Sequence, residues 1–499
     1  MVNKHKIPRT MSTQHPDNVS LPFFSEYPVL KGDDEVREAY YAYSHLGCDE
    51  QMWDYEGKDV DVYVVKKLLS RHSQFFQSNV LGEDIFLTFR IPNPSVEKSE
   101  AKVMLEVLES IPRSYDYAKL FYSREVIPVF EVILPMTSSS REINRVYYYY
   151  TNFVVGKAKM KFFPGDITIS EWTGEFKPDR INVIPLFEDR PFVLNCHEIT
   201  REFLEDKQIA HQRVFLAKSD LAMNYGAFSS DVYLKKALFN LRTLEEETGV
   251  MIMPIVGFGS PPFRGNLRPE NAGEIAEKWR SVFTFTIQSA FKYDWPEKDV
   301  VRGIERIRKV RPELRKAEDV DEEEMRLADR LAENYRRAIP RVADIVNALS
   351  AHVPRRRARK LHVGLFGYSR DVNGFVLPRA IPFCCALYSL GIPPEFLGLK
   401  GLREKEVELL LENYESELEF ASRFFIREVC EKLGLEKVYA FPEELGIDGD
   451  RIGDNKAKRN EKQEYKEIVK ELYDAFRRNR VGMLTEKLLQ AARMRGFLG

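Results

Sequence analysis

The sequence predicts an α/β fold, a (β/α)8 TIM-type barrel elaborated with many additional helices. Three observations predict it. Short β-rich runs recur along most of the chain, and most are apolar throughout instead of alternating. That is the pattern of parallel strands covered on both faces. Helical stretches separate these runs, and repeated strand–helix–strand order means a parallel α/β architecture. Finally, seven candidate strands appear and no Gly-x-Gly-x-x-Gly turn follows the first, so closure fits better than an open sheet.

The candidate strands, in order, are DIFLTFR (84–90), VIPVFEVIL (126–134), INVIPLF (181–187), RVFLA (213–217), MIMPIV (251–256), VFTFTI (282–287) and LHVGLF (361–366). An eighth is not evident. SEAKVMLEVLES (99–110) and SDVYLKKALFNLRTLEEETG (230–249) read as helices between them. After Tyr293 the composition changes. The stretch from about 296 to 359 is charged and helical, and the chain is helical again from about 380 to 499. All of 1–499 is therefore expected to be one barrel domain with a helical insertion and a helical C-terminal region. The polar run DGDRIGDNKAKRNEKQEYK (448–466) reads as a mobile surface loop.

Composition excludes several classes. The 499 residues are 44% hydrophobic and 30% charged, as in a soluble globular protein. Basic residues number 75 and acidic residues 77, a net charge of −2, which speaks against a nucleic-acid binder. No apolar run approaches the roughly 20 residues of a membrane helix. MVNKHKIPRT has no apolar core and is not a secretory signal; Met11 could serve as an alternative start. Five cysteines, an odd count without a CxxC motif, suit free thiols in a reducing cytoplasm.

Reacting groups of parallel barrels gather at the carboxyl ends of the strands. Those ends here carry Arg90, Glu188, Lys218-Ser219-Asp220, a Gly/Pro loop with Arg264, and Arg370-Asp371. Two carboxylates on nearby strand ends suit a hard divalent cation, Mg²⁺ or Mn²⁺. Several arginines suit an anion bearing phosphate and carboxylate groups. Each feature alone has a plainer reading: a strand-end carboxylate is commonly a cap or an ion pair. RRRAR (355–359) reads as a solvated helix face or an intersubunit patch, and Cys384-Cys385 as core. The case rests on coincidence at corresponding positions. STQHPDN (12–18) stands apart, because it puts His15 before any evident structural element.

These residues resemble the phosphoenolpyruvate carboxylase family, in its short archaeal-type branch. TQHPDN is similar to the family's TAHPTE, whose histidine acts in carboxylation; this carries over to His15. VIPLFE resembles PLFET and LAKSDLAMNYG resembles GYSDSAKDAG, implying Glu188 and Asp220 as metal ligands. GFGSPPFRGN is similar to the loop GRGGSIGRGG, implying catalytic Arg264. FLTFR, GYSRD (similar to GSRPAK) and LPRAIPFCCALYSLGIPPEFLG (similar to LRAIPWIFAWTQ…LPAWLG) imply substrate-binding Arg90, Arg370 and Arg379. Single motifs are weak, but seven in family order, over residues 12 to about 398, are strong.

Three departures stand out. The loop's first family arginine aligns with Phe258, the family's lysine in the aspartate motif aligns with Met223, and the chain ends MRGFLG instead of Asn-Thr-Gly. The chain is also short, so control by acetyl-coenzyme A or sugar phosphates is not carried over.

The resemblance implies carboxylation of phosphoenolpyruvate by bicarbonate to oxaloacetate and phosphate, through carboxyphosphate and an enolate. It implies Mg²⁺ or Mn²⁺, no biotin, and a cytoplasmic homotetramer. The competing enzyme reading is another metal-dependent barrel lyase or aldolase of phosphoenolpyruvate or pyruvate that needs no bicarbonate. The competing non-enzyme reading is a polyanion binder using RRRARK (355–360).

Overall fold

Eight parallel strands close a barrel in simple sequential order: β1 (Thr10–Ser12), β2 (Glu50–Asp54), β3 (Phe86–Arg90), β4 (Glu131–Leu134), β5 (Asn182–Phe187), β6 (His211–Ala217), β7 (Met251–Gly257) and β8 (Thr284–Ile287). β1 pairs with both β2 and β8 and seals the ring. The structure, a computed structural model, describes residues 7–56, 61–358, 371–372, 375–447 and 456–499.

Six of the seven expected strands are barrel strands. The seventh, at 361–366, falls outside the described residues, and the ring closes without it. The two strands that sequence reading missed are the first and second. β1 is three residues long, and Met11, taken above as an alternative start, is its middle residue. β2 reads EQMWD, and its inward positions are Glu50, Met52 and Asp54. Polar groups there serve ion pairs inside the barrel, so the strand lacks the apolar signature of its neighbours.

Side chains of a strand alternate between its two faces. Met11, Met52, Ile133, Ile184, Leu186, Phe215 and Ile255 pack together inside the barrel. Leu87, Phe89, Val132, Val183, Phe187, Val214 and Leu216 face outward into the core shared with the surrounding helices. Below the apolar layer lies a charged one. Arg213 of β6 donates to Glu50 of β2 at 2.8 and 2.7 Å, to Glu131 of β4 at 2.9 Å and to Thr284 of β8 at 3.2 Å. All four residues come from even-numbered strands, as expected when alternate strands contribute a barrel layer.

The charged helices Glu297–Lys309 and Glu322–Ser350 follow β8 instead of interrupting the barrel. A second apolar core joins Glu322–Ser350 to Ala380–Ser389, Glu404–Ser422, Lys456–Arg477 and Val481–Arg495. Cys384 and Cys385 lie in that core. The expected loop at 448–466 is helical from Lys456 onward; its earlier part lies outside the described residues. Apolar side chains at Tyr465, Val469 and Leu472 recur at helical spacing and pack into the second core, which explains the helix. All five cysteines are buried and unpaired. Among the described residues no helix is long and apolar enough to cross a membrane.

Among the described residues, Arg213 is the sole cation that this layer's two carboxylates contact at salt-bridge distance, apart from His211, 4.0 Å from Glu131. Arg213→Met leaves Glu50 and Glu131 buried without it. The expected loss is about 3–5 kcal/mol of folding stability, read as a lowered urea midpoint. An unchanged midpoint would refute the role of this layer.

Candidate active site

A cavity of about 690 Å³ opens at the carboxyl ends of the strands. It brings together His15, Arg90, Glu188, Asp220, Arg264 and Arg379. Strand alternation explains the convergence. Arg90 ends β3 two residues beyond the inward Thr88, and Glu188 follows β5 on the face of Ile184 and Leu186. Asp220 lies in the first turn of the helix Ser219–Tyr225 directly after β6. Arg264 ends a short turn after β7, and Arg379 sits at the start of the helix Ala380–Ser389. Arg370 lies outside the described residues.

STQHPDN does not precede the barrel. It is the end of β1 and the loop that follows, so His15 occupies a strand-end position like the others. The segment is held at nearly every residue. Lys292 Nζ donates to Ser12 Oγ and Thr13 O, both at 2.9 Å. Thr13 N–H donates to Ile287 O at 3.0 Å, and Gln14 Oε1 accepts from Asp54 N–H at 3.2 Å. Asp17 accepts from Ala290 N–H at 2.9 Å. His15 Nδ1 lies 2.9 Å from Thr13 Oγ1, which fixes the ring's orientation.

The described part of RRRAR, residues 355–358, forms no helix, and two of its arginines are not solvated. Arg356 and Arg357 are buried in extended chain, where Leu30 N–H donates to Arg356 O and Ala358 N–H to Leu30 O, each at 2.9 Å. Arg356 donates to the carbonyls of Asn18 and Val19 at 3.1 and 2.6 Å, just past the histidine loop. Arg357 forms a fork with Glu38 at 2.8 and 2.5 Å. Two of the arginines that a polyanion binder would use are therefore committed internally.

Arg90 donates to Asp54 through Nε at 2.9 Å and Nη2 at 2.7 Å, and Glu56 lies 2.9 Å away. Burial pulls its pKa down, but these carboxylates outweigh burial and raise it above the ordinary value. Glu97, on the loop after β3, was not singled out from the sequence. It is 2% exposed, and neither carboxylate oxygen has a hydrogen-bond partner among the described residues. Burial, reinforced by Glu56 and opposed by Arg90 and Arg379, pushes it up to about 7.

Arg264 is fully buried. Nη1 donates to the main-chain oxygen of Gly499 at 2.6 Å, Nη2 contacts Gln288 Oε1, and Asp17 lies 3.6 Å away. The Gly/Pro loop around it is more than a turn. Gly259 N–H donates to Arg264 O at 2.7 Å, and Phe263 N–H to buried Glu395 at 2.7 Å. Gly265 has φ 109°, and a Cβ there would sit 2.2 Å from the Phe258 ring. Gly499 has no such signal in the sequence. A Cβ on it would lie 2.1 Å from Ile381 O, so only glycine fits beside Arg264.

The family profile described as phosphoenolpyruvate carboxylase matches residues 7–499. The chain belongs to the phosphoenolpyruvate carboxylase family. A phosphoenolpyruvate carboxylase of Methanothermobacter thermautotrophicus is 51% identical over 497 residues, covering 99% of this chain and all of the relative. One of Pyrococcus furiosus is 51% identical over 437 residues, covering 87% and 91%. One of Halobacterium salinarum is 44% identical over 500 residues, covering 99% of each. These archaeal relatives support the short-branch assignment.

Within the family frame the departures acquire locations. Phe258, where the family loop has an arginine, is fully buried and stacks on Phe285. It faces the outer core, not the cavity. Met223, where the family has a lysine, packs in the second core. Lys218, a strand-end residue of this phosphoenolpyruvate carboxylase-type chain, is buried against Asp231 and does not line the cavity.

Glu97 generates a pH prediction. Its folded pKa of about 7 lies above the ordinary 4.5, so the folded state holds the proton longer. The unfolded chain gains relative stability as pH rises from about 4.5 to 7, and the penalty is full above that. Glu97→Gln should therefore raise Tm at pH 8 and leave it nearly unchanged at pH 4. Equal Tm at pH 8 would show that Glu97 carries no strained charge.

Proposed function

We propose that this chain joins phosphoenolpyruvate and bicarbonate to give oxaloacetate and inorganic phosphate, and that the barrel cavity is where it does so. The observation that carries this reading is the meeting of His15, Glu188, Asp220 and several arginines in one cavity of a chain from this family.

Glu188 and Asp220 are both half-buried and stand at the ends of adjacent strands. Their donor set is oxygen only, which fits Mg²⁺ or Mn²⁺ with water completing the shell. Bound there, the cation would supply positive charge that lowers the cost of an enolate oxygen. Arg90 and Arg379, with Arg370, hold the phosphate and carboxylate of the substrate. Bicarbonate attacks phosphorus, giving carboxyphosphate and the enolate of pyruvate. Arg264 steadies the transferring phosphoryl group. A hydroxyl accepts as readily as it donates, so Nδ1–H of His15 can be given to Thr13 Oγ1. That leaves Nε2 as the basic nitrogen to take the carboxyphosphate proton. Carbon dioxide is released beside the enolate and captured. No biotin is needed, because activation runs through phosphoryl transfer.

The same reading places the enzyme in the cytoplasm as a homotetramer. Five unpaired thiols support a reducing compartment. The exposed aromatic side chains Phe153, Phe162, Phe163 and Trp172 offer apolar surface for subunit contact.

Glu188→Gln and Asp220→Asn should each nearly abolish turnover without loss of fold. His15→Asn separates the two halves of the reaction. It leaves the carboxylates and arginines in place but removes the base. The variant should release phosphate in a bicarbonate-dependent way and yield pyruvate, because the stranded enolate is protonated instead of carboxylated. Phosphate, pyruvate and oxaloacetate measured in one reaction decide the matter. Oxaloacetate equal to phosphate at the wild-type rate would remove His15 from the chemistry.

A further inference from the structure

The three consecutive arginines 355–357 do not share one task. Arg356 and Arg357 are buried and bind the histidine loop and Glu38, as described above. Arg355 is exposed, lines the same cavity as His15, Glu188 and Asp220, and has no hydrogen bond or ion pair among the described residues. It differs in this from Arg90, Arg264, Arg356 and Arg357, each of which is held by protein partners. Its main chain is nevertheless fixed, because the next residue is pinned to Leu30 and anchored by its own side chain. An uncommitted guanidinium therefore stands on a rigid base at the cavity rim.

We infer that Arg355 is a further substrate-binding residue, whose guanidinium takes the phosphate of phosphoenolpyruvate at the cavity mouth. The inference rests on the proposed reading of this cavity. The cavity is lined by Arg90, Arg264, Arg356, Arg357 and Arg379 as well as Glu56, Glu188 and Asp220, and the first four of these arginines already hold protein partners. A guanidinium without a protein partner can offer its whole fork to an incoming phosphate. The planar fork of arginine matches phosphate oxygens in pairs. Phosphate is the most highly charged group of either substrate, so it draws the rim cation ahead of bicarbonate.

Steady-state kinetics of Arg355→Gln and Arg355→Lys, beside Glu188→Gln, test this. Arg355→Gln should raise KM for phosphoenolpyruvate about ten-fold, the scale of one charge-assisted contact. It should leave kcat within about two-fold and the bicarbonate KM and Tm unchanged. Arg355→Lys should recover most of the loss, and the difference from wild type should shrink with added salt. The inference is overturned if the phosphoenolpyruvate KM is unmoved or if only the bicarbonate KM moves. It is also overturned if KM rises together with a fall in Tm that lysine does not rescue, because that is a structural role. If Glu188→Gln remains fully active, the reading of the cavity itself fails; an inert Arg355 beside a dead Glu188→Gln refutes the Arg355 inference alone.

Discussion

The carboxylate of Glu38 holds the site together. It is fully buried on the helix Asp33–Ser44, between β1 and β2, and accepts from Lys292 at 2.8 Å, Tyr293 at 2.8 Å and both Nη atoms of Arg357. Burial raises its pKa, but the two cations outweigh burial and hold it well below the usual carboxylate range. A buried ion pair is weak evidence for stability, since desolvation offsets the attraction. Its consequence here is positional. Lys292 goes on to grip the end of β1 just before His15, and Arg357 fixes the strip that carries Arg355 and Arg356. One carboxylate thus sets the histidine loop, the chain after β8 and the arginine strip in mutual register.

Positioning by charge also determines the cavity's character. Arg90 and Arg264 reach it already engaged, one by Asp54 and Glu56, the other by Gly499, Gln288 and Asp17. Such arginines lose little side-chain freedom when a substrate arrives, which favours binding and precise orientation. The same engagement reduces their net attraction for an anion. A site built this way is well oriented, and a rim cation without a protein partner keeps its full attraction for an incoming anion.

What the sequence disclosed follows the same division. Apolar strands were legible, and so were the polar residues that terminate them, because a change from apolar run to Arg90, Glu188 or Asp220 is visible locally. β2 was hidden because its inward side chains are charged: Glu50 serves Arg213 across the barrel, and Asp54 serves Arg90 on the neighbouring strand β3. β1 was hidden by its length, and with it the fact that His15 is a strand-end residue. Within RRRAR, Arg356 and Arg357 were taken for solvated residues because a buried arginine and a solvated one look alike until the partner is known, and Glu38, the partner of Arg357, lies more than 300 positions away. The place of Gly499 depends on the backbone of Ile381 and Cys385 and has no local signature at all.

These long-range contacts bear on how the site is assembled. Leu498 N–H donates to Asp17 O at 2.9 Å, Arg264 reaches both Asp17 and Gly499, and Asp294 accepts from the amides of Val19 and Ser20. The loop after β1, the loop after β7 and the last residues of the sequence therefore meet at one joint. Strands β1 to β8 are complete by Ile287, yet Arg355, Arg356, Arg357, Arg379 and Gly499 all come later. The barrel supplies the carboxylates, the histidine and Arg90. The loop after β7 supplies Arg264, and the helical region supplies Arg355, Arg356, Arg357 and Arg379 and the backbone that fixes Arg264. The contacts of Arg264 with Gly499, of Arg356 with Asn18 and of Arg357 with Glu38 each close a loop of more than 200 residues, an entropic cost recovered only when both parts are folded. The cavity is accordingly a product of docking between barrel and helices, and neither part contains it alone.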